Sequence, residues 1–106
     1  MATGFPHEQL DCYHLAKGIA QWLLTVRFPP KCGDLQDQGI RASQSIVLNI
    51  AEGAKGGRAG QCHFRNALGS AAELCAVLDL VAVPGAAEKQ AELRRVGAMT
   101  RRLGGG

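Results

Sequence analysis

Apolar residues recur along the chain at alternating steps of three and four, in four segments set apart by proline and glycine. The first runs through Cys12, Leu15, Ile19, Trp22 and Val26. It stops at Phe28-Pro29-Pro30, where consecutive prolines cannot continue a helix interior. Lys31, Cys32 and Gly33 then carry turn chemistry, and Asp34 is a good N-cap for a second helix. In that second segment Leu35, Ala42, Ile46 and Asn49 share the spacing, flanked by Ile40, Val47 and Ile50, and the stripe ends at Gly53 in the glycine-rich AEGAKGGRAG. The third is the most regular, with Phe64, Leu68, Ala71, Cys75, Leu78 and Ala82 widened by Ala67, Leu74 and Val81. VPG at 83–85 breaks it. Leu93, Val96, Met99 and Leu103 mark a shorter fourth stripe before a terminal GGG, weakened at Gly97 by about 1 kcal/mol relative to alanine.

The pattern predicts helices over about 8–28, 34–53, 60–83 and 86–103. Four helices with short connections pack as an antiparallel up-and-down bundle, an all-α fold. Composition agrees. Aromatic residues are 5% of the chain against 46% hydrophobic, so the core is built from small and aliphatic side chains that suit close-packed helices. The 106 residues make a single domain, 1–106, with one modest core.

No run of about 18 apolar residues occurs, and MATGFPHEQL has neither a basic stretch nor an apolar one, so no membrane span and no secretory signal are predicted. The expected location is cytoplasmic, where Cys12, Cys32, Cys62 and Cys75 remain free thiols. Cys12 and Cys75 fall on apolar stripes and read as core residues. Cys32 and the Cys62-His63 pair lie in or beside loops that an up-and-down topology puts at opposite ends, so no metal site is predicted, and no cofactor. GAKGGRAG lacks the spacing of a phosphate-binding loop.

A turn centred near Gly56 and Gly57 sets helix-two residues opposite helix-three residues whose numbers sum to roughly 113. Arg41 then faces Glu73, a structural pair that fixes register. Asn49 falls near Phe64 and Arg65, a structural position serving the start of helix three or a subunit interface. Glu52, disfavoured by the helix dipole, calls for Lys55, Arg58 or an N–H of helix three as a partner. No second acid or nucleophile accompanies it, so no enzyme is predicted. Gly69-Ser70 reads as a place for two helices to approach closely.

Net charge is +3, enough to permit a polyanionic partner and too little to demand one. Its placement says more. Arg94, Arg95, Arg101 and Arg102 fall within an arc of about 120° opposite the Leu93, Val96, Met99 and Leu103 face, and Lys55 and Arg58 in the glycine loop can extend it. Such a stripe is either a solvated helix face or a seat for the phosphate backbone of RNA or DNA. No aromatic residue interleaves with these arginines, so base stacking is not predicted.

RASQSIVLNIAEG at 41–53, followed by FRNALGSAAEL at 64–74, resembles R-A-x-S-I-x-x-N-I-A-E-G … F-x-x-x-A-x-G-S-x-x-E-L. That is the pattern of the four-helix bundle family that includes proteins encoded in intervening sequences of bacterial large-subunit ribosomal RNA genes. Its relatives are the accessory variability determinants of diversity-generating retroelements. Phe28-Pro29 with Leu35 and Gln38 extends the likeness across most of 12–82. The resemblance implies a homopentamer of up-and-down four-helix bundles without catalytic activity. It also implies, from the retroelement members, nucleic-acid binding beside a reverse transcriptase. The residues and the resemblance together support two readings: an oligomeric nucleic-acid-binding accessory protein, or a protein-interaction scaffold whose arginines only solubilise it.

Overall fold

The computed structural model describes residues 4–106. A 3-10 turn over Pro6–Gln9 leads into four α-helices: α1 Asp11–Leu23, α2 Gly33–Gly53, α3 Gly57–Asp79 and α4 Ala86–Leu103. No strand occurs among the described residues, so the all-helical class holds, in an arrangement compatible with a four-helix bundle. None of the described helices is long and apolar enough to cross a membrane.

The first helix is shorter than its periodicity predicts, at both ends. Leu10 is extended (φ −97°, ψ 125°) and separates the 3-10 turn from α1. At the other end the Thr25 hydroxyl donates to the Trp22 carbonyl (2.7 Å), occupying an acceptor that a further helical turn would use. Val26 and Phe28 nonetheless pack on the core, because Gln36 reaches back from α2 to hold the connection. Its Nε2 donates to the Val26 carbonyl (3.1 Å), and its Oε1 accepts from the Phe28 N–H (3.3 Å). Asp34, expected as the N-cap of α2, lies inside its first turn, where a carboxylate suits the helix dipole.

Between α2 and α3 the chain reverses on Gly56 and Gly57, whose φ of 91° and 74° lie in the left-handed region open to glycine. That compact turn lets α3 begin earlier than expected, at Gly57. Immediately beside it the two helices come unusually close. A methyl group at Gly60 would stand 2.5 Å from the Gly53 carbonyl oxygen, and one at Gly53 would stand 2.9 Å from the Phe64 ring. Gly69, expected to mark the close approach, faces open space instead, with nothing within 4 Å of where a methyl group would be.

The core is aliphatic, as composition dictates. Ile19, Leu23, Ile46, Ile50, Leu74, Leu93 and Val96 are fully buried, and truncating one such Leu or Ile to alanine costs about 2–5 kcal/mol. On α1 the buried stripe is Cys12, Ala16, Ile19 and Leu23, turned one residue from the predicted Leu15 and Trp22. Those two pack at its edges, and Lys89 Nζ lies 5.8 Å from the Trp22 ring centroid. Leu103, predicted to face the core, is 39% exposed. Two polar residues enter the core unforeseen, and each is satisfied within its own helix. The Ser43 hydroxyl donates to the Ile40 carbonyl (2.7 Å), and that of Thr100 donates to the Val96 carbonyl (2.8 Å).

Candidate nucleic-acid interface

A row of polar side chains runs along the α2–α3 seam. Gln38 Nε2 donates to Glu73 Oε2 (3.1 Å), the Ser45 and Ser70 hydroxyls bond each other (2.9 Å), and His63 Nδ1 meets Asn49 Oδ1 (2.8 Å). Partner numbers fall on α3 as they rise on α2, in the predicted register. Asn49 Nδ2 donates to the Ser45 carbonyl (2.9 Å) and hydroxyl (3.1 Å). A carbonyl can only accept, so the amide orientation is settled, Oδ1 is the acceptor, and His63 Nδ1 carries the proton between them.

This row corrects two expectations. Arg41 and Glu73 border the same shallow cavity of about 310 Å³ with Gln38, Ser45 and Ser70, yet both are exposed and form no ion pair. The carboxylate takes its hydrogen bond from Gln38, one turn before Arg41, and an exposed ion pair at this surface would have added little. Asn49 does not serve backbone groups at the start of α3. It bonds back onto Ser45 of its own helix and presents its oxygen to His63, a residue weighed in the sequence only as a metal ligand and set aside as one. Cys75, read as core, is only half-buried, whereas Cys12 is buried, and that burial pushes its thiol pKa above the ordinary value. Glu52 finds Lys55 at 3.1 Å, with side chains 50% and 70% exposed respectively, so the pair adds little to stability.

The four α4 arginines are all exposed. Arg94 and Arg101 border a groove of about 520 Å³ between α3 and α4. On the opposite flank Arg102 borders a hollow with Gln9, Leu10, Asp11, Cys12 and Met99. None of the four takes part in an ion pair among the described residues, where the bridges are Lys55–Glu52 and Lys89–Glu92.

Arg65 ties this cationic helix end to α3. Its Nε donates to the Gly104 carbonyl (3.1 Å), so a cation closes the last turn of α4, where free carbonyls and the helix dipole favour one. Gln61 also stands against Gly104 and Gly105. Arg58 lies one turn before Gln61 in α3, so Arg58, Arg65, Arg101 and Arg102 converge on one end of the molecule. Lys55 is at that end too, its charge offset by Glu52. The part played by Arg65 was not legible in the sequence, because the contact joins residues 39 apart and no local pattern marks it.

Compared with known proteins, the chain matches no family model, no curated protein and no solved structure.

Proposed function

We propose that this chain is a non-enzymatic, oligomeric nucleic-acid-binding accessory protein. In this reading it forms an antiparallel up-and-down bundle that assembles with copies of itself, as the motif resemblance implies, in a pentamer. It holds RNA or DNA backbones through Arg94, Arg95, Arg101 and Arg102, extended by Arg58 and Lys55, and works in the cytoplasm beside a partner such as a reverse transcriptase. The observation that carries it is that the four exposed α4 arginines have no carboxylate partner among the described residues, so their charge is available to phosphates.

A second reading, a protein-interaction scaffold, draws on Leu24 and Leu48, each 65% exposed beside one groove between α1 and α2. Salt separates the two. A backbone binder loses affinity with a log–log slope of about −0.9 per phosphate neutralised on duplex DNA and about −0.7 on single strands, whereas a scaffold has no such slope. Replacing Arg94, Arg95, Arg101 and Arg102 together by glutamine should flatten that slope and weaken binding to all sequences alike. Unchanged affinity in this variant would remove the assigned site. Absence of binding by the parent at low salt would favour the scaffold.

A further inference from the structure

We infer that the segment entering α1 is a stacking platform for the bases of single-stranded nucleic acid, an inference that rests on the backbone-binding reading above. Four rings that the sequence scatters over residues 5–14 form a continuous row. Phe5 and His7 are parallel, with centroids 6.0 Å apart and planes 6° from each other. Tyr13 meets His7 edge-on at 4.6 Å and 61°, and meets His14 at 5.3 Å and 79°. His14 Nε2 is bonded to the Glu8 carbonyl (2.9 Å), which ties the α1 end of the row back to the 3-10 turn. The rings are therefore braced against one another, as a platform requires. At its outer end Phe5 is 71% exposed, so a flat apolar face stands open to solvent.

Adjacency to the α4 arginines selects the occupant. Arg102 borders the hollow formed by Gln9, Leu10 and Asp11, within the stretch that carries the rings, and Lys17 Nζ lies 5.8 Å from the Tyr13 centroid. Lys17 thus sets a cation beside one ring of the row, and Arg102 sets another beside the stretch 9–11 that joins its two halves. Two acids, Glu8 and Asp11, also stand beside the row and keep their charge, the first accepting from the Phe5 N–H and the second in the first turn of α1, so the surplus of positive charge that would draw phosphates comes from the neighbouring α4 arginines. The open Phe5 face, continued by the braced rings behind it, suits a strand whose bases are unpaired, because every base offers a π-face. Duplex bases are already stacked and cannot use the row.

The test compares a labelled oligothymidylate with an abasic strand of equal length, by anisotropy at low salt. Both carry the same phosphates, and only the first carries bases. The parent should bind oligothymidylate about tenfold or more tightly than the abasic strand, the scale of losing one stacked base. Phe5→Ala should remove most of that advantage, Phe5→Trp should restore it, and neither should alter affinity for the abasic strand. Because Phe5 is exposed, both variants should keep the parent's helical circular dichroism. Equal parent affinities for the two strands would overturn the platform and leave backbone binding standing, while no binding to either would overturn both. Phe5-dependent binding to anionic vesicles without preference between the strands would assign the row to a lipid surface and overturn the inference.

Discussion

Replacing Gly60 by alanine should destabilise the protein, and the same change at Gly69 should stabilise it. Both lie within α3, where alanine is favoured over glycine by about 0.5–1 kcal/mol through backbone entropy alone. At Gly69 that gain is unopposed, since the new methyl group has nothing within 4 Å. At Gly60 it would stand 2.5 Å from the Gly53 carbonyl oxygen and 3.4 Å from the carbonyl carbon. These are backbone atoms, so no side chain can swing aside, and α2 and α3 must part at their closest point. Overpacking of this kind costs about 1–3 kcal/mol, which exceeds the propensity gain. For a domain of this size 1 kcal/mol corresponds to roughly 4–8 °C in melting temperature. Circular-dichroism melts should therefore place Gly60→Ala several degrees below the parent and Gly69→Ala a few degrees above it. A Gly60→Ala protein melting at or above the parent would refute the close crossing. A lower melt for Gly69→Ala would show that the open space beside it is filled in solution.

Asn49→Ala removes the acceptor of His63 and both donations to Ser45 in a half-buried seam, and should cost about 1–2 kcal/mol. It would appear as a lowered urea midpoint at constant m, and an unchanged midpoint would remove the seam's structural role. Cys62 should be alkylated by iodoacetamide well before Cys12 at mildly alkaline pH, read by peptide mass spectrometry; equal rates would contradict the burial of Cys12. Burial raises the Cys12 pKa above the ordinary thiol value, so the unfolded chain releases that proton first. Its contribution to stability is therefore full below the ordinary thiol value, declines above it, and is lost as pH rises through the raised value of the folded state.

Helix number and type were legible because three-and-four spacing depends on the residues of one helix alone. What the sequence hid lies between helices. The register rule brought Arg41 and Glu73 to one cavity, yet could not show that Gln38 reaches the carboxylate from a turn away. Asn49 stood out as a polar residue on an apolar stripe, but its partner His63 was obscured by a neighbouring cysteine that suggested metal chemistry. Gly69 looked like the packing glycine from its apolar setting, whereas Gly53 and Gly60 looked like loop composition. The α4 arginines were placed by periodicity. The ring row was invisible to it, since Phe5 and His7 precede α1 and join Tyr13 and His14 only because Leu10 bends the chain.

The bond from Arg65 to Gly104 bears on the entropy of any encounter with a charged ligand. Terminal helical turns ordinarily fray, and cations carried on a fraying turn must be immobilised when they engage a ligand, at about 0.5–1.5 kcal/mol for each rotamer-rich side chain. Here a guanidinium from α3 fastens the last turn of α4, so the backbone under Arg101 and Arg102 is ordered before anything binds. Part of the ordering cost is met during folding, and a preorganised pair of charges releases its ligand more slowly than a mobile pair of equal charge. Loosening that single tie would leave the charge count untouched while shortening the lifetime of every complex made at this end of the molecule.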